Sequence, residues 1–206
     1  MTDRPIVYLL DDEPEMVKAL TRLLRAEGFQ VQGFSSAREF LAHARQPGPA
    51  CLVLDAAMPD IDGLEVQERL HQIDAALPIV FLTGRGDIPM SVRAIKAGAE
   101  NFLTKPVNAA ELLPAIRAAL QRAAEQQSER EELAALRARL ACLTPREREV
   151  LGHVIAGKMN KQIAAELGTG EQNIKVHRGR LMRKLGLRSV AELVRLAERL
   201  GVPPVS

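Results

Sequence analysis

A chain of 206 residues is long enough for one or two domains that each bury a core, and with five Phe, one Tyr and no Trp aliphatic side chains must do most of the packing. No apolar run approaches the ~20 residues of a membrane span, the polar N-terminus lacks a signal-peptide pattern, and two cysteines, Cys51 and Cys142, make neither a disulfide framework nor a metal cluster; both read as buried or half-buried small hydrophobes in a reducing, cytoplasmic setting. Residues 1–123 carry 13 Lys/Arg against 16 Asp/Glu, a net of −3, whereas residues 143–206 carry 12 against 6, a net of +6, which suggests two domains with different partners, the basic one a nucleic-acid candidate.

The first apolar run, Ile6–Leu10, is short and unbroken, as expected of a parallel strand buried on both faces. Met16, Leu20, Leu23 and Leu24 then form a helical stripe that Gly28 can close. A weaker strand candidate near Gln30–Gly33 precedes "SARE" (Ser36–Glu39), which reads as a capping box opening the next helix. Cys51–Leu54 and Ile79–Leu82 repeat the buried-strand pattern, and Asn101–Leu103 is a weaker fifth strand. Strands alternating with helices predict an α/β fold, a doubly wound five-stranded parallel sheet with right-handed crossovers.

Asn108 and Glu111 mark another helix start, with Pro114 inside the helix, lacking its amide hydrogen and bending it locally. The helical pattern runs on through "QRAAEQQSEREELAALRARL", where Leu133, Leu136 and Leu140 share a face spaced for a partner helix, a solvated connecting helix being the alternative. From Leu143 the pattern changes to helices and tight turns. Thr144, Pro145 and Glu147 supply an N-cap, a first-turn proline and a capping box. Asn160 can cap "KQIAAEL", a third helix runs from Glu171 to Leu185, and Ser189–Glu192 opens a fourth that ends before Gly201. Two short helices separated by "GTG" read as helix-turn-helix. The expected division is an α/β domain over residues 1–122, a helical linker over 123–142 and an all-α domain of four helices over 143–206.

In open α/β sheets, ligands bind outside the carboxyl ends of the strands. Asp11 and Asp12 follow the first predicted strand, Asp55 the third, Thr83 and Gly84 the fourth, and Thr104, Lys105 and Pro106 the fifth. For Asp55 alone a cap or turn role is the competing reading. Three neighbouring carboxylates, however, repel one another unless a cation sits among them. Their hard oxygens suit Mg²⁺, which shares its shell with phosphate. Lys105 adds positive charge on a flexible stem, and the Thr83 hydroxyl can donate to a phosphoryl oxygen. The set describes a carboxylate nucleophile that accepts a phosphoryl group.

The motifs "LLDDEPEM", "LVLDAAMPDIDGLEV" and "FLTGRGDIPMSVRAIKAGAENFLTKPV", in this order, resemble the receiver domain of two-component response regulators, and within them the FixJ-like branch. That resemblance implies a flavodoxin-like sheet with Asp55 as phosphoacceptor. Asp11 and Asp12 would bind Mg²⁺ with Asp55, and the backbone carbonyl of Ala57 would complete the protein ligands. Thr83 and Lys105 match the switch hydroxyl and the phosphate-contacting lysine. Phe102 falls at the aromatic switch position, a buried structural Phe being the alternative, and a cis peptide is implied at Lys105–Pro106.

"LTPREREVL", "NKQIAAELG" and "NIKVHRGRLMRKLG" resemble the LuxR/NarL-type helix-turn-helix domain. The third helix carries Gln172, Asn173, Lys175, His177, Arg178, Arg180, Arg183 and Lys184, while Ile174, Leu181 and Leu185 form one apolar face, as a major-groove recognition helix requires. The resemblance implies that Lys175 and Val176 reach base edges and that Asn160, Lys161, Gln172, His177 and Arg178 meet phosphates, with Asn173 and Arg183 also on the DNA side. Two positions depart from the family pattern: Gly170 stands where a Ser N-cap is usual and Thr169 where an aliphatic residue is usual. Gly179 removes a side chain from the groove-facing surface.

The whole implies a DNA-binding response regulator and not an enzyme, beyond its own phosphorylation and dephosphorylation. Its partners would be a histidine kinase, promoter DNA and RNA polymerase. The FixJ-like resemblance implies a homodimer on phosphorylation, through the helix before the fifth strand, that strand and the helix after it. Two alternatives stay open. One is an aspartate-nucleophile phosphatase of the haloacid dehalogenase type, which usually wants an acid where Ala57 stands. The other is a phosphate-independent DNA-binding protein with a vestigial receiver.

Overall fold

A computed structural model of the chain describes residues 5–59, 61–74, 77–84, 93–95 and 97–205. The chain divides into two compact units, Met1–Ser128 and Glu129–Ser206. In the first, β1 (Ile6–Leu10), β2 (Gln30–Phe34), β3 (Ala50–Asp55), β4 (Ile79–Thr83) and β5 (Asn101–Thr104) form one sheet in the order β2-β1-β3-β4-β5, every neighbouring pair parallel. The expected five-stranded parallel sheet is therefore present. β1, β3 and β4 are buried along their whole length because helices cover both faces.

The alternation along the strands sorts the core into two layers. Val7, Leu9, Cys51, Val53, Val80 and Leu82 pack with Leu20 and Leu24 of α1 (Pro14–Ala26) and with Leu112, Ala115, Ile116 and Ala119 of α4 (Ala109–Ala141). Tyr8, Leu10, Leu52, Leu54 and Phe81 pack with Phe40 of α2 (Ala37–Ala42) and with Val66 and Leu70 of α3 (Gly63–Asp74). Residues 93–95 are helical, but the remainder of the expected helix before β5 lies outside the described residues. The expected stripe of α1 faces the core, Leu20 and Leu24 buried and Met16 and Leu23 half-buried against it, and Val17 joins it as a further buried member. Gly28 closes α1 at φ +87°, donating its amide to Arg25 O.

The second unit packs α5 (Pro145–Ile155), α6 (Asn160–Glu166), α7 (Glu171–Leu185) and α8 (Val190–Leu200) around Leu143, Val150, Leu151, Val154, Ile163, Ile174, Leu181, Leu185 and Leu193. The capping box at Thr144 forms as expected: Thr144 Oγ accepts from Glu147 N at 3.3 Å and Glu147 Oε2 accepts from Thr144 N at 2.8 Å. Asn160 does not cap α6. It is the first helical residue, and Gln162 Oε1 takes the Met159 amide at 2.7 Å instead. Leu136 and Leu140, on the late turns of α4, pack against this same core, so the apolar face read as awaiting a partner helix is filled by the chain's own C-terminal helices. Arg199 seals that contact with an ion pair to Glu132 at 2.8 Å. Cys51 is buried, but Cys142 is exposed, at the end of α4 where the chain turns toward α5.

Candidate phosphoacceptor site and basic helix

Strand register assembles the acidic site. Leu10 pairs with Leu54, so the residues that follow, Asp11 and Asp55, emerge side by side at the carboxyl ends of neighbouring strands. Asp55 pairs with Leu82, which brings Thr83 next, and Thr83 pairs with Thr104, which brings Lys105 next. Asp11, Asp55 and Thr83 are all buried (3–4% exposed). Asp11, Asp12 and Asp55 each offer an oxygen, and these oxygens lie within 4.8 Å of one another.

Lys105 ties the cluster together: its Nζ lies 2.8 Å from Asp11 Oδ2 and 3.0 Å from Asp55 Oδ2. Burial alone would lower the Lys105 pKa, but the hydrogen bonds its ammonium donates to Asp11 and Asp55, and the charges of those carboxylates, outweigh it and hold it above its ordinary value. Three carboxylates against one ammonium leave the site two positive charges short. A hard divalent cation with oxygen preference matches both the deficit and the donor type. Asp11 Oδ1 also accepts from Glu13 N at 2.9 Å, so this acid fixes the approach to α1 as well as facing the cluster. Ala57 donates its amide to Asp55 Oδ1 at 3.3 Å, which holds the turn carrying the Ala57 carbonyl beside the acid.

The backbone beneath Asp55 has no room to spare, a feature sequence reasoning missed. Gly63 opens α3 with its amide on Ala56 O, and a Cβ there would meet Asp55 O at 2.8 Å. Its only sequence signal is a glycine eight residues after Asp55. Phe102 is half-buried, its ring centroid 6.0 Å from that of Phe81. The Lys105–Pro106 peptide is cis.

In the second unit, α7 buries Ile174, Leu181 and Leu185 and leaves Gln172, Asn173, Lys175, Val176, Arg180 and Arg183 exposed. Gly170 opens α7 without a side-chain cap, and Gly186 ends it at φ +71°. Among the predicted DNA-facing residues, Arg178 and Asn160 meet each other, Nη1 to Oδ1 at 3.0 Å, which ties α6 to α7. Asn173 donates to Thr169 Oγ1 at 3.1 Å, Lys161 is exposed, and His177 is half-buried. Lys184, counted in sequence as a groove-facing donor, turns the other way and pairs with buried Glu147 at 2.7 Å. Glu147 is held below the usual carboxylate range by the Lys184 hydrogen bond, which outweighs burial, with the Thr144 amide adding to it. Among the described residues no helix is long and apolar enough to cross a membrane.

Comparison with known proteins assigns both units. Residues 7–117 match the response regulator receiver domain and residues 141–197 the bacterial regulatory proteins of the luxR family. The chain is 45% identical over 201 residues to the response regulator protein TodT of Pseudomonas putida, covering 97% of this chain and 88% of TodT. It is 38% identical over 204 residues to the transcriptional regulatory protein FixJ of Rhizobium meliloti, covering 99% of this chain and all of FixJ. The solved structure of the response regulator StyR superposes with a TM-score of 0.85 at 48% identity, covering 95% of this chain and 99% of that one. With acids and lysine gathered at the carboxyl ends of the strands in one unit and a basic helix-turn-helix in the other, the chain belongs to the two-component response regulators that join a receiver domain to a luxR-type DNA-binding domain and regulate transcription.

Proposed function

We propose that Asp55 is the phosphoacceptor and that its phosphorylation by a histidine kinase controls promoter binding by α7. What supports this reading is the bridge of Lys105 to Asp11 and Asp55 inside the three-acid cluster. Asp11, Asp12 and Asp55, with the Ala57 carbonyl, would hold Mg²⁺, which when bound neutralises the charge of the phosphoryl oxygens. An Asp55 carboxylate oxygen attacks phosphorus. The new O–P bond forms as the P–N bond to the donor imidazole breaks, and the electron pair leaves with the imidazole nitrogen. Lys105, freed from its partner carboxylate, turns its ammonium onto a phosphoryl oxygen, and the Thr83 hydroxyl donates to another. Phe102 moves with Thr83 as the aromatic switch.

The phosphoryl group acts by stabilising one of two pre-existing conformations, the one that dimerises through the helix before β5, β5 and the first half of α4. The domain limits that go with this are 1–122, 123–142 and 143–206, in a cytoplasmic protein whose promoter complex engages RNA polymerase. Lys175 and Val176 reach base edges. Asn160, Lys161, Gln172, Asn173, His177, Arg178 and Arg183 hold phosphates and set the register. The chemistry ends at the protein's own phosphorylation and dephosphorylation, since Ala57 offers no acid to protonate a leaving group. Sedimentation of the full chain with a small-molecule phosphodonor and Mg²⁺ tests the switch. A wild-type dimer and an Asp55→Asn monomer are expected, and dimerisation of Asp55→Asn to the same extent refutes it.

A further inference from the structure

Gly179 is the ninth of the fifteen residues of α7, a place where glycine weakens a helix relative to alanine. Among the described residues one other glycine sits inside a helix, Gly152 of α5, and it has a reason within the chain: a Cβ there would meet the Val205 side chain at 2.5 Å. At Gly179 the backbone has no positive φ and a Cβ would meet nothing within 4 Å. No contact within the chain calls for glycine here.

Helical periodicity places Gly179 opposite the buried Ile174, Leu181 and Leu185, at the centre of the exposed face with Gln172, Val176 and Arg183. Lys175 and Arg180 flank it, both exposed. Val176 is 41% exposed, one of six exposed large hydrophobics among the described residues, and it lies one turn before Gly179 on the same face. Val176 and Gly179 thus form an apolar, side-chain-poor spot with Lys175 and Arg180 beside it and Arg183 one turn on, which suits a partner that is anionic around one apolar point. In the major groove that point is the C5-methyl of thymine.

We propose that Val176 and the bare backbone at Gly179 form one contact patch that reads a thymine methyl, with Arg180 and Arg183 on the flanking phosphates. Gly179 is then a specificity-determining position: the missing Cβ lets the groove floor approach the helix backbone, and Val176 supplies the apolar wall. This inference rests on the reading of α7 as the DNA-binding helix and deepens it.

The test uses the full chain with phosphodonor and Mg²⁺. Preferred duplexes are selected from a randomised pool, and each thymine of the selected site is then replaced by uracil, which removes the methyl alone. For the wild type, one thymine per half-site is expected to weaken binding about four-fold on replacement, the size of one buried methyl group. Gly179→Ala is expected to bind thymine and uracil sites equally while raising the unfolding midpoint of the second unit, and Val176→Ala to lose the same discrimination. A wild type indifferent to every uracil replacement overturns the proposal. So does a Gly179→Ala protein that keeps the four-fold preference, or one that fails to gain stability. A wild type that selects no sequence at all overturns instead the reading of α7 as the DNA-binding helix.

Discussion

Replacing Lys105 by Gln removes the one cation that, among the described residues, lies between the site's acids. Its Nζ is 2.8 Å from Asp11 Oδ2 and 3.0 Å from Asp55 Oδ2, and the three side chains are 13%, 4% and 5% exposed. Removing one partner of a buried ion pair destabilises by about 3–5 kcal/mol, chiefly because the remaining charge is left uncompensated, and partial access of water to Lys105 favours the lower end, about 3 kcal/mol. For a unit of this size the loss corresponds to a fall of roughly 10 °C in unfolding midpoint. Saturating Mg²⁺ restores positive charge among the same oxygens and should narrow the gap by about half, since a divalent ion offsets the repulsion that the lysine otherwise offsets. Cys51 supplies the probe: it lies in β3, fully buried, four residues before Asp55, so its alkylation reports opening of the sheet. Pulsed alkylation of wild type and Lys105→Gln along a temperature series, with and without Mg²⁺, reads both effects. Midpoints within about 2 °C of each other without metal would refute the reasoning, because a difference that small is under about 1 kcal/mol for a domain of this size.

Burial pushes the Cys51 thiol up to about 12, so in the native protein at neutral pH a thiol reagent should modify exposed Cys142 and leave Cys51 intact until the sheet unfolds, which intact-mass spectrometry counts directly. Glu147→Gln should destabilise the second unit by about 1–2 kcal/mol at pH 7, read by hydrogen exchange of the α5 and α7 amides in the full chain. Because the folded-state pKa of Glu147 lies below its ordinary value, its contribution is fully present above the ordinary carboxylate range, and the gap to the Gln variant should close as the pH falls through the lower folded value. In DNA binding, Arg180→Ala and Arg183→Ala should each reduce the slope of log affinity against log salt by about 1. Lys184→Ala should leave that slope unchanged, since Lys184 faces Glu147.

Most of the sheet was legible because strands buried on both faces carry unbroken Val, Ile and Leu runs, and a carboxylate that ends such a run has only the strand mouth to face. Asp11, Asp55, Thr83 and Lys105 could thus be placed at one edge before their register was known. The double bridge of Lys105 was not legible, because it depends on the pairing of Leu10 with Leu54 and of Thr83 with Thr104, a matter of strand order. The stripe of α1 was legible except for Val17, since Met16 and Val17 are both apolar and only the tilt of the helix on the sheet buries Val17 more deeply. Asn160 has strong capping propensity, yet Gln162 reaches back to the Met159 amide and leaves the Asn160 oxygen for Arg178. Lys184 carries the same charge as its exposed neighbours, and only the fold of α5 shows that a buried carboxylate waits for it. The Leu136–Leu140 face was visible in sequence, but an apolar stripe does not name what covers it.

The central claim is that the acid at the end of β3 accepts a phosphoryl group and becomes an acyl phosphate. Tandem mass spectrometry of the full chain after exposure to a phosphodonor and Mg²⁺, with the acyl phosphate trapped by borohydride reduction, locates the modified residue. Conversion at Asp55, absent when Mg²⁺ is withheld, is the predicted result. Conversion at Asp11, Asp12 or any residue outside the cluster, with Asp55 recovered intact, would contradict it.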